Sequence, residues 1–176
     1  MRTGILVPGG TGHVQTALLD LGWEALTDRG LPIEEITWTV PRNLLEVDPE
    51  PLVRTYVAAA LQRSTGNEHV LIAKSLGTHA ASLAAERELP AVWLTPLLHV
   101  PALAEAITRN PAPQLLIGGT ADPSWLPEVA AATGKRLLVI EEAGHSLRPP
   151  GPLRAFTDAL GTIGTAIEEF LDSLQD

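Results

Sequence analysis

Ser75, Asp122 and His145 are the side chains from which a covalent acyl-transfer site could be assembled. A serine hydroxyl attacks a carbonyl only weakly until an imidazole takes its proton. The imidazole in turn works best when a carboxylate fixes its tautomer and stabilises its charged form. Ser75 lies in Ala73-Lys74-Ser75-Leu76-Gly77, with a small residue two positions away on either side. That suits a strand-to-helix turn so tight that bulkier neighbours would clash, and whose backbone pushes the hydroxyl outward. On its own the pattern reads more readily as a helix cap. Asp122-Pro123 alone would initiate a turn, and His145 alone would be a polar loop residue. The company decides: each of the three follows a short apolar run, at separations of 47 and 23 residues that leave room for the intervening elements.

Those runs are Ile5 to Val7, Ile33 to Val40, His69 to Ala73, Ala91 to Leu94, Gln114 to Ile117 and Arg136 to Ile140. Most are nearly continuous in apolar residues, as strands buried on both faces should be. Between them the apolar spacing becomes helical. Val14, Leu18, Leu21 and Leu26 line one face, and Leu52, Tyr56, Val57, Ala60 and Leu61 another. The longest stripe is Leu153, Phe156, Leu160, Ile163, Ile167, Phe170 and Leu174. Gly161 and Gly164 interrupt its helix propensity, for which close packing against a sheet would be a sufficient reason. Strand and helix in alternation predict an α/β fold: a three-layer α/β/α sandwich of about six parallel strands, formed as a single domain over residues 1–176. In such sheets ligands sit at the carboxyl ends of the strands, where all three candidate side chains fall.

The chain carries 12 basic and 21 acidic residues, a net charge of −9, without a cluster of Lys or Arg. That balance disfavours nucleic acid as a partner. There are no cysteines, which excludes disulfides, thiolate metal sites and a cysteine nucleophile. No stretch approaches the roughly 18 apolar residues of a membrane span, and the N-terminal run is too short for a signal peptide. The expectation is a cytoplasmic protein with no membrane partner. No tight pair of His or carboxylate ligands suggests a metal.

On the Ser75 elbow, the Gly119-Thr120-Ala121-Asp122 stretch and Ala143-Gly144-His145, the chain resembles a small member of the α/β-hydrolase superfamily, over nearly its whole length from Ile5 to Leu174. It is similar to the compact serine hydrolases that lack a large cap domain. The Lys74-Ser75 pair is similar to the dienelactone-hydrolase-like and Lys-Ser elbow branches, while Ala73 stands where the common pattern has Gly. The resemblance implies a catalytic trio of Ser75, Asp122 and His145, with no cofactor. It also implies an oxyanion hole from two backbone amides, Leu76 beside the nucleophile and Gly10 in the loop Pro8-Gly9-Gly10-Thr11-Gly12-His13, with Thr11 in second place. Pro8 occupies the position where relatives carry His. Two preorganised donors of this kind stabilise a tetrahedral oxyanion by about 3 kcal/mol each. The substrate would be a small acyl compound, ester or thioester ahead of amide.

From Leu94 to Gln114 only about twenty residues are available, part of them helical (Ala102 to Thr108), so a shallow site without a large lid is expected. Leu97, Leu98, His99, Thr11, His13 and Lys74 are candidates to line it, with Trp125 packed nearby. His69 and His79 read as structural, and Arg42 as a loop residue able to meet an acidic substrate. Two other classes stay open. The Gly9–Gly12 loop, with Glu34 and Glu35 about twenty residues on, is similar to a dinucleotide-binding turn, although Gln15 replaces its third glycine and no Tyr-x-x-x-Lys pair follows. A hydrolase-like binding module without catalysis is the other.

Overall fold

The computed structural model describes residues 1–41, 43 and 46–175. Among them six strands form: β1 (Arg2–Val7), β2 (Ile33–Glu35), β3 (Glu68–Lys74), β4 (Ala91–Leu94), β5 (Gln114–Gly119) and β6 (Arg136–Ile140). They make one parallel sheet in the order β2-β1-β3-β4-β5-β6. The α-helices among the described residues are α1 (Ala17–Asp28), α2 (Glu50–Arg63), α3 (Ala81–Glu86), α4 (Pro101–Arg109), α5 (Pro127–Ala132) and α6 (Leu153–Asp172).

The apolar runs are unbroken because the sheet is covered twice. Ile5, Val7, Leu71, Ala73, Trp93 and Leu116 pack with residues of α2, α3, α4 and α5. Leu6, Val70, Ile72, Val92, Leu115 and Ile117 point the other way, onto α1 and α6. Burying each such side chain stabilises the fold by roughly 1.5–3 kcal/mol. The three-layer α/β/α arrangement with six parallel strands is therefore as expected from the sequence. No helix among the described residues is long and apolar enough to cross a membrane. The connection from β4 to β5 holds one helix, α4.

Several expectations need correction. The second run is a strand only over Ile33–Glu35, because its partner β1 ends at Val7. Beyond that point Ile36 still donates to the Leu6 carbonyl, then Trp38 turns to the Gly12 carbonyl instead. In α2 the buried stripe is Val53, Val57 and Ala60, while Tyr56 lies exposed with its ring edge-on to Trp38. In α6 it is Ala159, Ile163, Ala166, Ile167, Phe170 and Leu171, and Leu153, the first residue of the helix, is 66% exposed. The glycines of α6 are not explained by the sheet. A Cβ at Gly161 would meet nothing within 4 Å, and one at Gly164 only Leu21 of α1, at an ordinary 3.6 Å.

Candidate active site

The chain leaves β3 at Lys74, passes through Ser75 with φ +49°, and enters a 3₁₀ turn over Ser75–Ala80 before α3. A positive φ is costly for any residue with a Cβ, so the surrounding contacts must hold it. They do so closely. A Cβ added to Gly77 would sit 3.1 Å from both the Val7 side chain and its carbonyl oxygen, so the small residue two positions after Ser75 is a requirement of packing. The fully buried Thr78 donates its hydroxyl to the Ser75 carbonyl (2.6 Å) and accepts from the Leu97 amide (3.3 Å).

Asp122 lies three residues past β5, in a turn closed by its own amide on the Gly119 carbonyl and by the Trp125 amide on its carbonyl. One carboxylate oxygen accepts from the Ser124 amide at 2.9 Å. The other meets His145 Nδ1 at 2.7 Å, and His145 Nε2 meets Ser75 Oγ at 2.7 Å. A carboxylate only accepts, so Nδ1 carries the proton and Nε2 is left to receive one from the hydroxyl. The Asp122 side chain is 1% exposed and that of His145 40%, so the pair combines a shielded anion with an accessible base.

The loops carrying these two residues are stitched together. Thr120 and Ala121 donate their amides to the carbonyls of Ile140 and Ala143, and Glu142 donates to the Thr120 hydroxyl. Gly119 permits the approach, since any Cβ there would overlap the Ala143 carbonyl. Gly118 likewise leaves space filled by the Trp125 ring.

The loop after β1 passes beside Ser75. A Cβ at Gly9 would lie 3.4 Å from that of Ser75. The Gly9 carbonyl accepts from the Gly12 amide (3.1 Å) and the Trp38 indole (3.3 Å), while the Trp38 amide donates to the Gly12 carbonyl (2.9 Å). Neither the Gly10 nor the Leu76 amide donates to a protein acceptor among the described residues. The glycines of this loop do not lead directly into a helix, since α1 begins at Ala17. The array of amides at a helix N-terminus that a pyrophosphate needs is thus displaced from them.

The remaining candidates divide by burial. Thr11, His13 and His99 are exposed at the strand ends, and Leu97 is half-buried. Leu98 and Trp125 are buried in the core and so offer little wall to a ligand. Lys74 is half-buried and its ammonium has no hydrogen bond or ion pair among the described residues; burial pushes it below the usual lysine range, opposed by the Asp122 charge. His79 is buried one turn after Ser75, and burial pushes its imidazole down against the pull of Asp48 and Glu50. Arg42 lies outside the described residues. None of the described cavities includes Ser75, Asp122 or His145; one of about 600 Å³, bordered by Arg2, His69 and Arg87, opens at the opposite ends of the strands. Among the described residues no group of three or more His or acidic side chains is placed to hold a metal. Trp38 and Thr78 were not singled out by the sequence. Both act through contacts with residues far from them or through a buried hydroxyl, and neither leaves a spacing signal.

No protein-family model matches the chain, and neither does any curated protein. Solved structures do. A protein from Xanthomonas campestris assigned to the hydrolases of the α/β superfamily is 20% identical, with a TM-score of 0.72 over 97% of this chain and 98% of that one. The dienelactone hydrolase from Anabaena variabilis is 20% identical, with a TM-score of 0.72 over 98% and 86%. Est1E from Butyrivibrio proteoclasticus, also solved with ferulic acid bound, is 13% identical, with a TM-score of 0.76 over 99% and 89%.

Proposed function

From a chain with the α/β-hydrolase fold, we propose a serine hydrolase that cleaves carboxylic esters or thioesters through an acyl-enzyme on Ser75. The observation that carries this reading is the unbroken line Ser75–His145–Asp122, two contacts of 2.7 Å joining loops that follow three different strands. Ser75 Oγ bonds to the acyl carbon as its proton passes to His145 Nε2. The tetrahedral intermediate collapses, and the leaving oxygen or sulfur takes that proton from the imidazolium. Water then gives a proton to Nε2 and its oxygen to the acyl carbon, and the Ser75 oxygen leaves with the proton returned. Asp122 holds the tautomer and the passing positive charge. The Gly10 and Leu76 amides, neither of which donates to a protein acceptor among the described residues, are assigned to the oxyanion. The substrate is a small acyl compound, met at a shallow site. Hydroxycinnamate esters belong on the first panel, because the Est1E structure carries ferulic acid.

The test is a panel of p-nitrophenyl, feruloyl and acyl-thioester substrates, run with fluorophosphonate labelling on the unaltered chain and on Ser75→Ala. Turnover and labelling should both vanish in Ser75→Ala while the circular dichroism spectrum is unchanged. Turnover that survives the substitution would remove Ser75 from the chemistry. A chain that neither labels nor turns over, yet binds acyl ligands, would be a binding module instead.

A further inference from the structure

The geometry points to Trp38 as a positioning residue for the oxyanion donor: its indole N–H, by fixing the Gly9 carbonyl, sets the direction of the Gly10 N–H. Its role in catalysis rests on the hydrolase reading above, whereas its mechanical part does not.

A planar trans peptide has its C=O and N–H pointing in opposite directions, so fixing one fixes the other. The Gly9 carbonyl and the Gly10 N–H belong to one such unit. That carbonyl takes two hydrogen bonds, from the Gly12 amide and from Trp38 Nε1. A glycine pair without side chains to hold it would otherwise rotate this peptide at little cost. The first bond is local and moves with the loop. The second comes from outside it, and Trp38 is itself immobilised: it is buried in the core, its ring meets Tyr56 edge-on at 5.8 Å, and its amide donates to the Gly12 carbonyl. The close fit is reciprocal, since a side chain at Gly12, at φ +80°, would overlap the Trp38 carbonyl oxygen. The Gly10 N–H is thereby directed away from the indole, on a loop whose Gly9 approaches Ser75, and it finds no acceptor among the described residues. A donor held in place before charge develops, with no reorganisation left to do, is what an oxyanion hole requires.

The experiment is Trp38→Phe, which keeps a ring in the core and removes the indole donor. The ¹H–¹⁵N residual dipolar coupling of Gly10 reports the direction of its N–H without reference to activity. It should change while the couplings of β3 stay fixed. In ester hydrolysis kcat should fall about tenfold with KM within about twofold, because the lost alignment matters only once the oxyanion forms. An unchanged Gly10 coupling overturns the inference, whatever the activity. A changed coupling with unchanged kcat overturns the catalytic half of it. A changed coupling in a chain that hydrolyses nothing even before substitution upholds the pinning and defeats the hydrolase reading. Should Trp38→Phe fail to fold, hydrogen exchange at Trp38 Nε1 in the unaltered chain decides: slow exchange is expected, and exchange at the rate of a free indole overturns the inference.

Discussion

At the scale of single residues, the proposed relay depends on which atom of each partner faces the imidazole. Asp122 offers Nδ1 an acceptor, and an asparagine there could turn its amide N–H toward the ring instead. Asp122→Asn should therefore leave the fold intact and favour the tautomer with the proton on Nε2, facing Ser75. Ester turnover should fall on the order of 10³–10⁴-fold, read as kcat beside an unchanged thermal midpoint. Thr78 makes a different prediction. Its hydroxyl ties the strained Ser75 carbonyl to the Leu97 amide, so Thr78→Val should cost about 1–2 kcal/mol of stability and several-fold in kcat. Thr78→Ser should recover both, as measured by urea denaturation and ester kinetics side by side. Of these residues, Ser75, Asp122 and His145 were legible because side-chain type and position after an apolar run are written locally. Thr78 was not, since a threonine in a turn is common and its partner at Leu97 is distant in sequence.

At the scale of elements, the strands were the most readable parts, because burial on both faces leaves an almost unbroken apolar signature. The exception is instructive. Residues Ile36 to Val40 alternate apolar side chains with threonines as a strand does, but β1 stops at Val7, one residue past the Leu6–Glu35 pair, so only Ile33–Glu35 finds a parallel neighbour. Pairing is a property of two segments, and one segment cannot announce it. The last helix shows the same limit. Its stripe was readable, yet small residues carry part of it: Ala159 and Ala166 are buried while Leu153 is exposed. Its two glycines have no contact that explains them against the sheet. Gly161 sits in open space inside a helix, so Gly161→Ala should stabilise the chain by about 1 kcal/mol. The check is a rise of a few degrees in the thermal midpoint with unchanged ester turnover. At Gly119 the sign reverses. A methyl group there would strike the Ala143 carbonyl, so Gly119→Ala should lower the midpoint and part the Asp122 loop from the His145 loop, with turnover falling further than stability alone explains.

At the scale of the whole molecule, the beginning and end of the chain are held to each other. Arg2 donates to the Leu174 carbonyl, and Arg29 of α1's C-terminal cap grips Asp172 at 2.7 and 2.9 Å. Acid acts against this arrangement and against the interior together. Burial lowers the affinity of His69 and His79 for protons below the ordinary histidine value of 6.5. The unfolded chain thus binds protons first, so stability is full above pH 6.5 and declines as pH falls through that value toward the lowered ones. Denaturant midpoints at pH 7.5 and pH 5.5 should show the decline, and a His69→Gln, His79→Gln double variant should flatten it. The distribution of the relay across the sheet matters too. Ser75 follows β3, an interior strand, while His145 follows β6, which has a neighbour on one side only and leaves Leu137 and Val139 exposed. Border strands open at lower free energy than those enclosed on both sides. Gentle warming should therefore separate His145 from Ser75 while most of the ellipticity survives, so that the proposed ester turnover is lost several degrees before the chain melts, and recovers on cooling.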